Sequence, residues 1–136
     1  MSITVEQYFR KPRSAEQQRN AETLLEKVNA LLDEAEVAGV YKVEIDSDTG
    51  SQISGSKDGD GDGGFRTPGS RTGAAGSKHR KARAVDVYDP GGKLSAWLTD
   101  DILARHGLYR EHPSKTLGWC HLQDESPGSG SRTFYP

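Results

Sequence analysis

The 136-residue sequence is poor in cysteine, in net charge and in long apolar runs, and each shortage excludes a class of protein. Its single cysteine, Cys120, cannot form an internal disulfide, so the chain is not a disulfide-stabilised scaffold. The formal net charge is only -2, which provides no general attraction to a nucleic acid or to an anionic membrane. No stretch has the length and apolar character of a membrane span. We therefore expect neither nucleic-acid binding nor membrane insertion.

The N-terminus, MSITVEQYFRKP, also lacks the basic start and the apolar run of a signal peptide. We therefore expect a chain that is made in a cytoplasm and carries no export signal of its own. A length of 136 residues with 32% hydrophobic residues is typical of one domain, spanning 1–136, with a small core.

Hydrophobic periodicity predicts a long first helix. Ser14 and Gln17 fit a capping box, and apolar residues then recur at three- and four-residue steps until Gly39 ends the pattern. These apolar positions are Ala21, Leu24, Leu25, Val28, Leu31, Leu32 and Ala35. A second helix is predicted over 93–106, because apolar residues share one side there and Gly107 follows.

Alternation of apolar and polar residues predicts three strands, in YKVEID (41–46), RAVDVYD (83–89) and GWCHLQ (118–123). The segment at about 47–76 is rich in glycine, serine and aspartate, and it predicts a long, mobile loop broken only by GFRTP. In the tail, Phe134 and Tyr135 are expected to pack back onto the body. Helices and strands mixed without regular alternation favour an α+β fold, with a small antiparallel sheet and flanking helices.

The second and third strands carry the residues that point to chemistry. Because side chains alternate along a strand, Asp86 and His121 lie on the open faces of their strands and meet if the strands are neighbours. His79 lies just before the second strand, where a loop can fold back over the same face. Two imidazoles, one carboxylate and a position left to water are the ligand set of a catalytic zinc site. Spacing alone leaves open a metal-free hydrogen-bonded cluster and the iron site of a non-haem oxygenase.

Two motifs resemble those of the M15 zinc peptidases, which include D-Ala-D-Ala carboxypeptidases and phage endolysins. SKHRKARAVD resembles the family's Ser-x-His-x-x-Gly-x-Ala-x-Asp motif, and WCHLQ resembles its Trp-x-His strand. The matching residues are Ser77, His79, Ala84, Asp86, Trp119 and His121. Ala82 stands where the family usually has glycine. The resemblance covers about 53–136, and the ending GSGSRTFYP is similar to the tail of short phage-encoded members.

The resemblance implies a Hedgehog/DD-peptidase-like fold and a zinc ion held by His79, Asp86 and His121. GFRTP resembles a Gly-aromatic-Arg segment of the family, which implies that Arg66 holds a substrate carboxylate. Many members carry a glutamate three residues before the last histidine ligand, but here that position is Gly118. Glu111 is instead our candidate for the catalytic base.

Three other titratable groups are alternatives to Glu111. His112 is an alternative general acid or oxyanion donor, and Asp124 and Glu125 are the next candidates for the base. Ser77 and Gln123 are expected to orient ligands or contact substrate, as the neighbours of metal ligands usually do.

DGDGDGG is similar to the first half of a calcium-binding loop of EF-hand type. Asp58, Asp60 and Asp62 supply alternate carboxylates, and Gly63 permits the sharp turn. The bidentate acid of such a loop is missing, since its position falls at Gly69. We therefore favour a flexible, solvated acidic insertion, with Ca²⁺ as the alternative cofactor of this segment.

The sequence thus predicts a zinc-dependent peptidase that acts on peptidoglycan peptides and is encoded by a phage. Such an enzyme would lie in the host cytoplasm before lysis or be associated with the virion. The alternative is a virion structural protein that contacts other virion proteins and keeps the fold and metal without activity. A non-haem iron oxygenase ranks third, because those enzymes usually place the first histidine and the acid two residues apart.

Overall fold

A computed structural model describes residues 2–10, 13–55, 63–65 and 78–135. The helices and strands are, in chain order, α1 (Val5–Tyr8), α2 (Ala15–Val37), β1 (Ala84–Tyr88), α3 (Lys93–Trp97), α4 (Asp100–Arg105), β2 (Tyr109–Glu111), β3 (Trp119–Gln123) and β4 (Thr133–Phe134). Two 3₁₀ helices, Lys78–Lys81 and Pro113–Lys115, lie before β1 and between β2 and β3. The predicted α+β class is confirmed.

Helix α2 begins and ends where the sequence predicts. The Gln17 amide donates to the Ser14 hydroxyl, and the Ser14 amide donates to the Gln17 side chain, which completes the capping box. All seven predicted apolar positions of this helix are buried. Gly39 then adopts a φ of 75°, a left-handed conformation that costs glycine little and ends the helical path.

The four strands form one sheet in the order β1-β3-β2-β4. Strand β3 pairs antiparallel with both β1 and β2, as the predicted antiparallel sheet requires. Strand β4 pairs in parallel with β2, so the sheet is mixed at that edge. One face of the sheet belongs to the hydrophobic core, which it forms together with α2. Its buried side chains are Val85, Val87, Cys120 and Leu122.

The predicted strand at 41–46 is wrong. Its alternating pattern does not correspond to one buried face, because Tyr41 is buried while Ile45 is 46% exposed. The segment makes only an isolated bridge, between Asp46 and Ser51. The Asp46 carboxylate accepts hydrogen bonds from the amides of Asp48 and Gly55, so the chain turns here instead of extending along a partner strand.

The predicted helix over 93–106 is divided into α3 and α4. Leu98 has an extended conformation, with φ -65° and ψ 136°, and interrupts the helical path. Thr99 then starts α4, because its hydroxyl accepts a hydrogen bond from the Ile102 amide. Gly107 follows α4 with a φ of 68°, at the position where the sequence predicts an end.

The first part of the predicted loop at 47–76 packs against β1. Ser51, Gln52 and Ile53 are buried, and the Tyr88 amide donates to the Gln52 carbonyl at 2.7 Å. Residues 56–62 and 66–77 lie outside the described residues. In the described part of the chain, no helix combines the length and the apolar character needed to cross a bilayer.

Candidate metal centre

The pairing of β1 with β3 brings Asp86 and His121 together. The two residues are direct cross-strand partners, as the sequence predicts for neighbouring strands with these faces. His79 reaches the same place from the 3₁₀ helix before β1. Among the described residues, these three side chains form a group whose ligand atoms lie close enough together to hold a metal ion.

The three candidate ligand atoms have the spacing of a tetrahedral site. His79 Nε2 lies 3.3 Å from both His121 Nδ1 and Asp86 Oδ1, and His121 Nδ1 lies 2.9 Å from Asp86 Oδ1. Zinc bonds of about 2.0–2.1 Å in tetrahedral geometry place ligand atoms about 3.3 Å apart. The side chains therefore need little rearrangement to accept an ion, and a fourth position remains for water or substrate.

Burial and charge favour a cation between these groups. His79, Asp86 and His121 are only 3%, 6% and 6% exposed. Burial by itself would raise the pKa of Asp86, but the His79 and His121 imidazoles hold the pKa of this carboxyl well below its usual range. Burial by itself would lower the pKa of His121, but the Asp86 carboxylate outweighs it and raises that pKa. The buried Asp86 carboxyl thus stays ionised, and a metal ion would compete with a proton on His121.

Hydrogen bonds at the outer ring nitrogens fix which atoms face the centre. His79 Nδ1 donates to the Gly64 carbonyl at 2.9 Å, and His121 Nε2 lies 2.8 Å from the Gln123 side-chain oxygen. The side-chain Nε2 of Gln123 in turn donates to the Glu125 carbonyl at 2.7 Å. These contacts direct Nε2 of His79 and Nδ1 of His121 inward, as outer contacts do in metal sites. Gln123 therefore contacts a candidate ligand, which is the position expected for a residue that orients it. Ser77 lies outside the described residues.

The backbone at 63–65 supports the centre, a role that sequence reasoning missed. The Gly63 amide donates to Ser54, and the Gly63 carbonyl accepts from the Asp86 amide, both at 2.7 Å. A Cβ at Gly63 would lie 2.1 Å from the Ser54 oxygen and 2.8 Å from the Asp86 Cβ. Glycine is therefore required for this close approach. The signal in the sequence is the glycine pair that precedes Phe65, although the surrounding pattern points to a calcium motif or a substrate segment.

Glu111 lies at the edge of the cluster, on the strand next to His121. Arg110 pairs with Leu122, and one more step in this antiparallel register places Glu111 opposite His121. One Glu111 carboxylate oxygen is 3.9 Å from His121 Nδ1, and this side chain is 23% exposed. An acid from β2 is thus present although Gly118, at φ 96°, offers none from the usual position.

The other predicted acids and histidines have partners elsewhere. Asp124 accepts from the Arg83 guanidinium at 2.7 Å, and Glu125 pairs with Lys78. The His112 Nδ1 lies 2.8 Å from the Ser114 hydroxyl, and its ring stacks on Tyr135. All three groups are thus engaged in contacts away from the cluster, and among the described residues Glu111 is the predicted acid that lies beside it.

Two predicted features lie outside the described residues. These are Arg66, the candidate substrate cation, and the acidic segment with Asp58, Asp60 and Asp62. Gly63 of that segment is described, and it packs against Asp86. The chain matches no protein-family model, no curated protein and no solved structure.

Proposed function

We propose that this protein is a zinc-dependent peptidase of M15 type, with a Hedgehog/DD-peptidase-like fold, which hydrolyses peptidoglycan peptides. One observation carries the proposal. Three buried ligand atoms from His79, Asp86 and His121 lie at tetrahedral spacing, and a fourth side chain, Glu111, approaches from the neighbouring strand. A structural zinc site usually has four protein ligands, whereas three ligands with an acid nearby are typical of a hydrolytic one.

The residues fit zinc in number, type and spacing. When bound, zinc would supply Lewis acidity that lowers the pKa of a water molecule towards about 7 and polarises a carbonyl group. The hydrogen bonds from His79 to Gly64 and from His121 to Gln123 hold both imidazoles in the required tautomer. Burial of Asp86 among them keeps competing water away from the ligand atoms.

Glu111 is the proposed general base. Its carboxylate accepts a proton from the attacking water, whose oxygen forms a bond to the scissile carbonyl carbon. The same carboxylate then delivers the proton to the nitrogen as the C–N bond breaks, which balances the hydrolysis. A 3.9 Å separation from His121 Nδ1 places Glu111 within reach of a group at the open position. Its partial exposure leaves it accessible to substrate.

The resemblance of GFRTP supports Arg66 as the group that binds a substrate carboxylate. A guanidinium suits this role, because its planar fork makes two parallel hydrogen bonds to a carboxylate. The similarity of the tail to short phage-encoded members supports an enzyme in the host cytoplasm before lysis or in the virion. Calcium binding by the acidic segment has no support beyond its alternating aspartates.

A virion structural protein that keeps the metal for stability is the second candidate. Gly118 favours it, because this position has no side chain and many resembling peptidases carry their glutamate there. The two candidates differ in one requirement, since only the enzyme needs the Glu111 carboxylate.

The decisive experiment compares wild type with Glu111→Gln, which keeps the size and hydrogen bonding of the side chain but removes its charge. Purified protein should contain close to one zinc per chain by elemental analysis, and it should release fragments from purified peptidoglycan. Glu111→Gln should keep the zinc and lose on the order of 10²-fold or more in kcat, because proton transfer is impaired. Glu44→Gln is the matched control, because Glu44 is exposed and lies far from Glu111 in the sequence.

The other outcomes distinguish the candidate functions and test the role of Glu111. Zinc without any digestion by wild type supports the structural protein. Digestion that survives Glu111→Gln removes Glu111 from the base role. A protein that holds iron instead of zinc favours the oxygenase chemistry.

A further inference from the structure

We propose that β4 completes the candidate active site and that Phe134 is a positioning residue, which holds His121 and Glu111 in their working orientation. The activity part of this inference rests on the proposed function, whereas the metal-binding part rests on the cluster alone. Phe134 lies in the tail that resembles short phage-encoded members, but the resemblance gives this residue no role, and the sequence predicts only that it packs onto the body.

Strand β4 is firmly attached beside β2. The His112 amide donates to the Phe134 carbonyl at 2.7 Å, and the Arg110 amide donates to the Arg132 carbonyl at 2.8 Å. The Arg110 guanidinium also donates to the Thr133 hydroxyl at 3.0 Å. Backbone and side-chain hydrogen bonds on both sides of Thr133 thus fix the position of Phe134 along the sheet.

The register places Phe134 on the same face as the metal cluster. Glu111 and Phe134 are direct partners in the parallel pair, so their side chains share a face. Asp86 and His121 are partners on β1 and β3, and Glu111 follows next to His121. One residue from each of the four strands therefore forms a row across the sheet. The row is Asp86, His121, Glu111 and Phe134.

The Phe134 ring contacts the ligand His121 directly. The two ring centroids are 6.2 Å apart and the planes cross at 88°, an edge-to-face arrangement. The His79 ring contacts His121 as well, at 5.1 Å and 67°. Hydrogen bonds at both nitrogens set the orientation of the His121 ring, and the two neighbouring rings limit how far its plane can rotate from that orientation. The plane matters, because the Nδ1 lone pair must point at the ion.

Phe134 is also the cross-strand partner of Glu111, because β4 lies on the side of β2 away from β3. A carboxylate on a strand between those that carry an imidazole and an apolar ring has fewer rotamers available and less contact with bulk water. The 23% exposure of the Glu111 side chain fits such a half-enclosed position. Loss of the ring should therefore let the carboxylate move and let water compete for it, which lowers kcat more than it changes KM.

The test uses Phe134→Ala and Phe134→Leu in the full chain, with two readouts. The first is metal binding, measured as the visible spectrum of the cobalt-substituted protein and as zinc affinity in chelator competition. Phe134→Ala should shift the spectrum and weaken zinc binding roughly tenfold, as changes around metal ligands do. Phe134→Leu keeps apolar bulk without a flat ring, so it should shift the same spectrum by a smaller amount.

The second readout is peptidoglycan hydrolysis, where Phe134→Ala should lower kcat about tenfold with a smaller change in KM. Tyr135→Ala is the matched control. Tyr135 is the next aromatic residue, is 65% exposed and stacks on His112, so its removal should change neither readout.

Unchanged cobalt spectra and zinc affinity in both folded Phe134 variants would overturn the proposal. If Phe134→Ala does not fold, Phe134→Leu decides by the same criterion. An inactive wild type would refute the proposed peptidase, yet the cobalt and zinc measurements would still decide the role of Phe134. A Tyr135→Ala effect equal to that of Phe134→Ala would show that β4 acts only as a packed strand and would also overturn the proposal.

Discussion

On β3, His121 and Leu122 are neighbours in the chain but face opposite sides of the sheet. Leu122 is completely buried in the hydrophobic core, where such a side chain contributes about 1.5–3 kcal/mol by leaving water. His121 is almost as buried, yet it lies among polar groups whose burial costs free energy unless every one has a partner. Equal burial therefore lowers the free energy of the folded state on the apolar face and raises it on the polar face unless the polar groups have partners. One face stabilises the fold, whereas the other carries the candidate metal site at a cost in stability.

Substitution of these two neighbours should separate the contribution to stability from the contribution to zinc binding. Leu122→Ala should lower the free energy of unfolding by about 2–5 kcal/mol, because it removes buried methyl groups and leaves a cavity. The folded protein should still bind zinc. His121→Ala should abolish stoichiometric zinc binding, since it removes one of three ligand atoms. Chemical denaturation of the metal-free protein and elemental analysis of the folded fraction measure the two effects separately.

A folded Leu122→Ala protein that has lost its zinc would mean that the core face sets the ligand geometry. Full zinc retention in His121→Ala would remove His121 from the metal site. Either result would contradict the assignment of stability to one face and metal binding to the other.

Gly63→Ala should lower both stability and zinc affinity. An added methyl group would collide with the backbone of Ser54 and with the Cβ of Asp86, so β1 must shift where it carries a ligand. We expect a loss of about 1–3 kcal/mol in stability, together with weaker zinc binding. Gly91→Ala is the control, since its Cβ would meet only the Lys93 side chain at 3.8 Å. Equal zinc affinity in the two variants would contradict this role for Gly63.

Ala82 gives the smallest expected effect and a test of strain near the centre. It has a φ of 59°, which L-residues rarely adopt, and its side chain is fully buried. Ala82→Gly relieves about 1 kcal/mol of strain but loses a buried methyl group worth about 0.8 kcal/mol, so stability should change by less than about 1 kcal/mol. Ala82→Val should cost considerably more, because a β-branched side chain tolerates this backbone poorly. Thermal unfolding of both variants would show the difference, and equal stabilities would disprove the strain argument.

The sequence predicts those parts of the fold whose local pattern and tertiary environment agree. The capping box and the apolar spacing locate α2, and period-two alternation locates β1 and β3. Alternation also predicts that Asp86 meets His121 if their strands are neighbours, because the face of a strand residue follows from its position, and the pairing of β1 with β3 meets that condition. The same rule fails at 41–46, where Tyr41 finds the core but Ile45 does not.

Other features depend on contacts that no local pattern encodes. Strands β2 and β4 have three and two residues, too few for a period to appear. The approach of Gly63 to Asp86 requires a segment more than twenty residues away in the chain, and glycine is compatible with many other roles. The contact of Phe134 with His121 likewise exists only after β4 has paired with β2.

The separation of the candidate ligands along the chain has a consequence for the kinetics of folding. His79 and His121 are 42 positions apart, and Asp86 and His121 are 35 apart, so the cluster assembles only when β1 and β3 pair. A bound ion would then act as a removable cross-link that closes a long loop. Because closing so long a loop costs entropy, we expect β1 and β3 to pair late in folding, and the ion should then mainly slow unfolding and hardly accelerate folding. Resistance to proteolysis would then depend on how long the ion stays bound.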